Sequence, residues 1–211
     1  MVLERIIGSA ICGFVQFITA ARVSWINNAP DERQRIYYAN HRSHADIVLL
    51  WSALPSAIRY QTRPVAGGDY WLTSQIKRYL AEKVFQSVLI DRQKSEGAPN
   101  PVEQMIQALD GGTSLIIFPE GTRNLDKGVK PFKSGLYHLA KAHPKVDLVP
   151  VWLENMGRVM PKGSVIPVPL ICTLSFGAPM HIQESEEKEV FLERARQALL
   201  DLKPLRKQEE V

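Results

Sequence analysis

The segment NHRSHAD at residues 40–46 places an imidazole, His41, and a carboxylate, Asp46, five positions apart. It follows a strand-forming run, Arg35–Ala39, and precedes an apolar run, Asp46–Leu54, that predicts a short helix. A carboxylate in the first turn of that helix can bind one imidazole nitrogen, which fixes the tautomer and makes the other nitrogen a better base. The pair therefore predicts general-base chemistry on a hydroxyl that attacks an activated carbonyl.

The same segment supports two other interpretations. Ser43 and Asp46 have the S-x-x-D spacing of a capping box, which would make Asp46 a structural residue. His41, His44 and Asp46 are also metal-ligand types, but no Glu follows His41 as it does in the H-E-x-x-H zinc sites. We therefore expect no metal, and we expect His44 to cap the turn or face solvent.

A covalent nucleophile has little support in the sequence. The G-x-S-x-G pattern of a nucleophile elbow does not occur. The two cysteines, Cys12 and Cys172, lie in an apolar helical run and in the middle of an expected strand. They are too few for a disulfide framework or a zinc quartet, and they suit a reducing compartment.

Length and composition predict one domain with a hydrophobic core. The chain has 211 residues, of which 45% are hydrophobic and 23% charged, and this excludes a disordered or collagen-like protein. The net charge is +4, and residues 120–162 hold eight basic and four acidic side chains, which accounts for the whole excess. That stretch either faces an anionic partner or is a solvated lysine-rich surface.

Alternating strand and helix patterns predict an α/β fold with a mixed, largely parallel central sheet flanked by helices. The expected strands are Arg35–Ala39, Ile58–Ala66, Ser87–Ile90, Ser114–Phe118, Val146–Leu153 and Ile171–Phe176. The expected helices are Asp46–Leu54, one within Asp69–Phe85, Pro101–Leu109, Leu136–Ala142 and Glu186–Leu200. The proline-containing stretch 155–169 is expected to be a surface excursion.

Residues 6–21 form an uncharged run that predicts an amphipathic or apolar N-terminal helix flanked by Arg5 and Arg22. The run is shorter than the roughly 20 apolar residues of a spanning helix, and it does not resemble a secretory signal peptide. Three interpretations stay open: packing on the protein's own core, lying flat in the lipid headgroup region, or crossing the bilayer.

Four segments together resemble the lysophosphatidate and glycerol-phosphate acyltransferase family. The N-H-x-S-x-x-D pattern from Asn40 to Asp46 is similar to the first family motif. The other three are L-I-D-R at 89–92, F-P-E-G-T-R at 118–123 and V-P-V at 149–151, and they occur in the family's order. An isolated H-x4-D pattern is weak, whereas its combination with F-P-E-G-T-R is specific.

This resemblance implies a function. A His41–Asp46 base would activate the free hydroxyl of 1-acylglycerol 3-phosphate, which attacks the thioester of acyl-CoA or acyl-carrier protein without an acyl-enzyme intermediate. The product would be phosphatidate, a phospholipid precursor, and the acyl thioester would be a co-substrate, with no cofactor and no metal. The resemblance implies substrate binding by five residues: Arg92, Glu120, Gly121, Thr122 and Arg123.

It also implies an organisation and a location. We expect residues 1–26 to be a membrane-associating helix and residues 27–211 the acyltransferase domain. The expected partners are a membrane surface on the cytoplasmic side, the lysophospholipid and the acyl donor, with no nucleic acid. Two departures leave the acceptor and chain length open: Gln86 and Leu89 replace the Gly and Phe of the second motif, and a V-A-K-type segment is V-A-G at 65–67.

Two alternatives remain at this stage. The first is the same chemistry on another acceptor, glycerol 3-phosphate or a lyso-aminolipid. The second is a non-catalytic lipid-binding protein that keeps the fold. A soluble metallohydrolase is a third and weaker interpretation, which chelator sensitivity would reveal.

Overall fold

A computed structural model describes residues 2–91, 97, 99–124, 126, 128–159, 168 and 170–204. Its strands are β1 (Arg22–Trp25), β2 (Arg35–Ala39), β3 (Thr62–Gly67), β4 (Val88–Ile90), β5 (Ser114–Ile117), β6 (Asp147–Glu154) and β7 (Thr173–Phe176). Its helices are α1 (Val2–Thr19), α2 (Asp46–Ala53), α3 (Ser56–Arg59), α4 (Gly68–Trp71), α5 (Gln75–Tyr79), α6 (Pro101–Asp110), α7 (Gly135–Ala142), α8 (Met156–Val159) and α9 (Lys188–Leu200). A π-helical turn, Leu80–Val84, continues α5.

Within the described ranges, the strands form one seven-stranded sheet in the order β1-β7-β6-β2-β5-β3-β4. Strands β6, β2, β5, β3 and β4 are mutually parallel, β7 is antiparallel to β6, and β1 is parallel to β7. The predicted mixed, largely parallel sheet is confirmed. Because β2 and β5 are neighbours that run in the same direction, the loops that follow them lie at the same sheet edge.

The sheet separates two hydrophobic cores, as the alternation of side chains along β2 requires. Tyr37 and Ala39 lie in the core beneath α1 and α2, which also contains Trp51. Ile36 and Tyr38 lie in the core beneath α6, α7 and α9. All five residues of β2 are buried, so this strand is the central support for the loop that begins at residue 40.

Helix α1 contacts the domain with one face and exposes the other. Ile7, Ile11 and Val15 are partly buried against the first core, and Gly8 comes close to the ring of Trp51. The opposite face exposes large apolar side chains: Val2, Leu3, Ile6, Phe14 and Phe17. By length and composition α1 could cross a membrane, and 11% of it is buried. The helix therefore packs on its own domain and still presents an apolar surface outward.

Three sequence predictions need correction. The expected strand Ile58–Ala66 is wrong in its first half, because Ile58 lies in α3 and the strand is Thr62–Gly67. The expected helix within Asp69–Phe85 is divided into α4, α5 and the π turn, with Ser74 capping α5 through its side chain. Strand β1 was not predicted, although it pairs with β7 over its whole length. The excursion at 155–169 contains α8, and residues 160–167 and 169 lie outside the described residues.

Candidate active site

The loop after β2 is fixed to the neighbouring strand β6 by Asn40. Its side-chain amide donates to the carbonyl oxygen of Leu153 at 2.9 Å, and its side-chain oxygen accepts from the Leu153 N–H at 2.8 Å. Asn40 is 2% exposed, so neither bond competes with water. The side chain thus sets the direction in which the chain leaves the sheet just before His41.

His41 and Asp46 lie in direct contact. Nδ1 of His41 is 2.9 Å from Oδ2 of Asp46, and both residues are buried. The ring of Phe118 stacks against the imidazole with a centroid separation of 4.3 Å and an interplanar angle of 27°. With Nδ1 directed at the carboxylate, Nε2 is the nitrogen left for chemistry in the cavity that His41 lines.

The carboxylate of Asp46 also holds the loop. Its Oδ2 accepts from the backbone N–H groups of Arg42 at 2.6 Å and Ser43 at 2.7 Å. The bond to Ser43 is one half of the predicted capping box, but the N-cap residue is Ala45, and the hydroxyl of Ser43 accepts from the Ala45 N–H. One oxygen therefore performs both the structural and the chemical task that the sequence suggested as alternatives.

Glu120 fixes the main chain of His41. Its Oε1 accepts from the His41 N–H, and its Oε2 accepts from the Lys130 N–H, both at 2.9 Å. The Asn124 N–H donates to the carbonyl oxygen of His41 at 2.7 Å. The main-chain N–H and C=O groups of His41 are therefore both bound by the loop after β5. Glu120 is 3% exposed and acts as a positioning residue.

The remaining residues of that loop differ in placement. Gly121 has φ of +72°, which favours glycine, and it lines the cavity. Thr122 is exposed and Arg123 is half-buried, and neither is among the residues that line the cavity. Arg92 lies outside the described residues. Substrate contacts of these residues stay predictions.

His41 lines a cavity of about 420 Å³. Most of its wall is apolar, and these lining side chains include Ile47, Val65, Trp71, Ile90, Val102, Met105, Ile117, Phe118 and Leu136. Polar groups are few, among them His44, Asp91 and Lys133. A cavity with apolar walls and a base on its surface suits an acyl chain and a reacting carbonyl.

The expectation that His44 caps the turn or faces solvent is wrong. Its ring stacks on Tyr70 with a centroid separation of 3.6 Å and an interplanar angle of 10°, and it lines the cavity. The ammonium of Lys77 lies 4.0 Å from the centre of the Tyr70 ring. The sequence could not show this contact, since it joins two segments 26 positions apart.

Neither Cys12 nor Cys172 is among the residues that line the cavity. Burial raises the pKa of the Cys172 thiol to about 11, with a smaller contribution from the nearby Asp46 carboxylate, so this cysteine stays a thiol. Cys12 lies on the partly buried face of α1. In the described part of the chain, no three His, Cys, Asp or Glu side chains come together in a group that could hold a metal ion.

Sequence reasoning missed Lys133 as a cavity residue. Its signal was present, since it belongs to the basic stretch 120–162 that carries the excess charge. The apolar cavity residues Met105 and Leu136 looked like ordinary core positions of two helices. Their role as cavity lining depends on how α6 and α7 pack, which helical spacing does not reveal.

The sequence is similar to several curated acyltransferases. A 1-acyl-sn-glycerol-3-phosphate acyltransferase from Limnanthes douglasii is 27% identical over 192 residues, covering 86% of this chain and 63% of that protein. One from Chlamydomonas reinhardtii is 29% identical over 143 residues, covering 65% and 39%. One from Haemophilus influenzae is 29% identical over 123 residues, covering 55% and 46%. The matches thus span between 39% and 63% of the lengths of these curated relatives.

A solved structure shows the same fold. The crystal structure of the 1-acyl-sn-glycerophosphate (LPA) acyltransferase PlsC from Thermotoga maritima matches with a TM-score of 0.74 and 21% identity, over 94% of this chain and 79% of that one. A family model described as Acyltransferase matches residues 20–154, which include the His41 loop and the loop after β5. Because that match covers more than half of the sequence, the chain belongs to the Acyltransferase family.

Proposed function

We propose that this protein is an O-acyltransferase that moves a fatty acyl group from acyl-CoA or acyl-carrier protein to the free hydroxyl of 1-acylglycerol 3-phosphate, giving phosphatidate. The observation that supports it most is the His41 imidazole, oriented by Asp46 at 2.9 Å, on the surface of a cavity with apolar walls. The names of the relatives from three organisms support the choice of acceptor.

The proposed reaction needs one base and no acyl-enzyme intermediate. Nε2 of His41 removes the proton of the acceptor hydroxyl while the oxygen attacks the thioester carbonyl carbon. Asp46 stabilises the resulting imidazolium and keeps the proton on Nδ1. The tetrahedral intermediate collapses, the carbon–sulfur bond breaks, and the imidazolium returns its proton to the thiolate. A thioester is reactive enough that positioning and one base suffice, so no cofactor or metal is required.

The substrate-binding residues of the proposal follow the family resemblance. Arg92 and Arg123 would contact the phosphate, for which the planar guanidinium is suited because it can bind two oxygens at once. Thr122 would add a hydroxyl at the same end. Glu120 and Gly121 would shape the loop, a role supported by the bonds of Glu120 to the His41 and Lys130 N–H groups.

We also propose that the helical part of residues 1–26, α1, holds the acyltransferase domain, residues 27–211 together with strand β1, on the cytoplasmic face of a membrane. The exposed apolar face of α1, with Phe17 83% exposed and Phe14 59% exposed, supports this. Replacing Phe14 and Phe17 by Ser should lower binding to anionic phospholipid vesicles in a flotation assay, while Val190→Ser, an exposed apolar position on α9, should not. Unchanged vesicle binding of the double variant would contradict the role of this face.

The experiment that tests the function is a thiol-release assay on the purified protein. Acyl-CoA and acyl-carrier protein are each offered with a panel of acceptors: 1-acylglycerol 3-phosphate, glycerol 3-phosphate and a lyso-aminolipid. We expect thiol release and phosphatidate with the first acceptor, unaffected by a strong chelator. Thiol release with only one of the other acceptors would identify that compound as the substrate instead. No thiol release with any acceptor would favour a non-catalytic lipid-binding protein. Loss of activity with the chelator would favour metal-dependent chemistry.

A further inference from the structure

Lys133 is a candidate substrate-binding residue that the family resemblance does not supply. We propose that its ammonium binds a phosphate group of a substrate held in the cavity, an inference that rests on the proposed function for the identity of that substrate. Lys133 lines the same cavity as His41. Among the described residues that line this cavity, Lys133 is the only lysine or arginine.

The loop after β5 determines where the Lys133 side chain lies. Its backbone N–H donates to the carbonyl oxygen of Pro119 at 2.8 Å. Its Cδ, Cε and Nζ atoms lie 2.6–2.7 Å from the position that a Cβ atom of residue 121 would take. The lysine therefore crosses directly over the α-carbon of Gly121, and only a glycine leaves room for it there. The glycine of F-P-E-G thus lets an ammonium lie along the wall of the cavity that His41 also lines.

The Lys133 charge is available to a ligand. In the part of the chain that the structure describes, its ammonium forms no ion pair and no hydrogen bond. Lys77, in contrast, is held over the Tyr70 ring and bonded to the hydroxyl of Thr73 at 3.2 Å. Among the described residues that line the cavity, Lys133 therefore supplies a positive charge that can attract an anion.

The exposure of Lys133 indicates which anion it binds. Lys133 is an exposed residue, so its side chain is not enclosed in a water-excluded site. Stabilising the short-lived oxyanion of the reaction calls for donors in a water-excluded position. A phosphate dianion is itself hydrated, and lysine binds phosphate as a point charge. The acceptor phosphate and the phosphates of coenzyme A share this chemistry, and both are tested below.

The alternative is that Lys133 is an ordinary solvated lysine of the basic stretch 120–162. Lys145 provides a matched control, because it is exposed, belongs to the same stretch, and follows α7 at the opposite sheet edge from the His41 loop. Lys133→Met and Lys145→Met each remove one positive charge. They therefore lower the general attraction to anions equally and differ only at the cavity.

The test is equilibrium binding to full-length protein, which requires no turnover. Dissociation constants are measured for 1-acylglycerol 3-phosphate, for the neutral 1-acylglycerol and for coenzyme A, with wild type, Lys133→Met, Lys133→Arg and Lys145→Met. We expect Lys133→Met to weaken a phosphate-bearing ligand about tenfold or more, as loss of a hydrogen bond between charged groups would. Binding of 1-acylglycerol should not change, and Lys133→Arg should keep most of the affinity.

The outcomes separate the proposals. Weakening of 1-acylglycerol 3-phosphate alone assigns Lys133 to the acceptor phosphate, and weakening of coenzyme A alone assigns it to the donor. Equal effects of the Lys133 and Lys145 variants, or no effect of either, would overturn the inference. If wild type binds these ligands and yet releases no thiol, the proposed reaction fails while the role of Lys133 is still measured.

Discussion

Replacing Asp46 by Asn separates the two tasks of one carboxylate oxygen. Oδ2 accepts three hydrogen bonds, from the His41 imidazole at 2.9 Å and from the N–H groups of Arg42 and Ser43 at 2.6 and 2.7 Å. Asn keeps an acceptor of the same shape and removes the negative charge. Hydrogen bonds to charged groups contribute about 1.5–3 kcal/mol and neutral ones about 0.5–1.5 kcal/mol, so each bond should weaken by about 1 kcal/mol.

The two backbone bonds predict the change in stability. Together they should lower the free energy of unfolding of Asp46→Asn by about 2 kcal/mol. For a domain of this size that corresponds to a melting temperature about 4–8 °C lower, which leaves the protein folded. Asp46→Ala is a poorer test, since it would leave two buried N–H groups without an acceptor at about 1–3 kcal/mol each.

The bond to the imidazole predicts the change in rate. Without the carboxylate, the proton of His41 is no longer held on Nδ1 and the imidazolium loses its counter-charge, so kcat should fall by about 10²–10⁴-fold. Thiol release gives kcat, and a thermal melt gives stability. Ser43→Ala is the control in the same loop, because it keeps the Ser43 N–H that donates to Asp46 and should leave kcat unchanged. A folded Asp46→Asn protein with wild-type kcat would refute the reasoning.

Three further predictions concern positioning and stability. Glu120→Gln should lower both kcat and the free energy of unfolding, the latter by about 1–3 kcal/mol, because one of the two backbone N–H groups that donate to Glu120 loses its acceptor. Thiol release measures kcat and urea denaturation measures stability. Unchanged values of both would contradict this prediction. Gly121→Ala should lower the free energy of unfolding by about 1–2 kcal/mol, because φ is +72° at this position. It should also weaken the binding of phosphate ligands, because the added methyl group displaces the Lys133 side chain. Urea denaturation and ligand titration measure the two effects, and tighter binding would contradict the second. The Arg194 guanidinium, with two bonds of 2.7 Å, holds the pKa of Glu186 below its usual value, so this pair stabilises the fold at neutral pH and the effect is lost as pH falls through the lowered pKa. Urea midpoints of wild type and Glu186→Gln should therefore differ at pH 7 and converge in acid, and a constant difference would argue against the pair.

The fold was largely predictable where the local sequence has one strong pattern. Strand β2 has its predicted bounds, Arg35–Ala39, because its five consecutive residues are buried and the four after Arg35 are apolar or aromatic. The pattern around Ile58 was ambiguous, since a buried residue of a short helix and one of a strand look alike in an apolar run. Strand β1 has only four residues and depends on pairing with β7, about 150 positions away, which no local pattern reveals.

The site was predictable in its motifs and not in its contacts. The H-x4-D spacing predicts the 2.9 Å contact of His41 and Asp46, because Asp46 begins α2 and its carboxylate turns back to the loop that holds His41. The bond of Glu120 to the His41 N–H depends on the parallel pairing of β2 and β5, and the bond of the Lys133 N–H to Pro119 depends on how the long loop after β5 folds back on itself. The sequence named Glu120 through the resemblance alone, and it assigned no role to Lys133.

Removing the His41 imidazole tests the central proposal most directly. Purified His41→Ala protein, shown to be folded by its melting transition, is given acyl-CoA and 1-acylglycerol 3-phosphate, and the released thiol is measured over time. Loss of the base should lower the rate by about 10²–10⁴-fold while ligand binding persists. A folded His41→Ala protein that releases thiol at the wild-type rate would show that this imidazole does not deprotonate the acceptor.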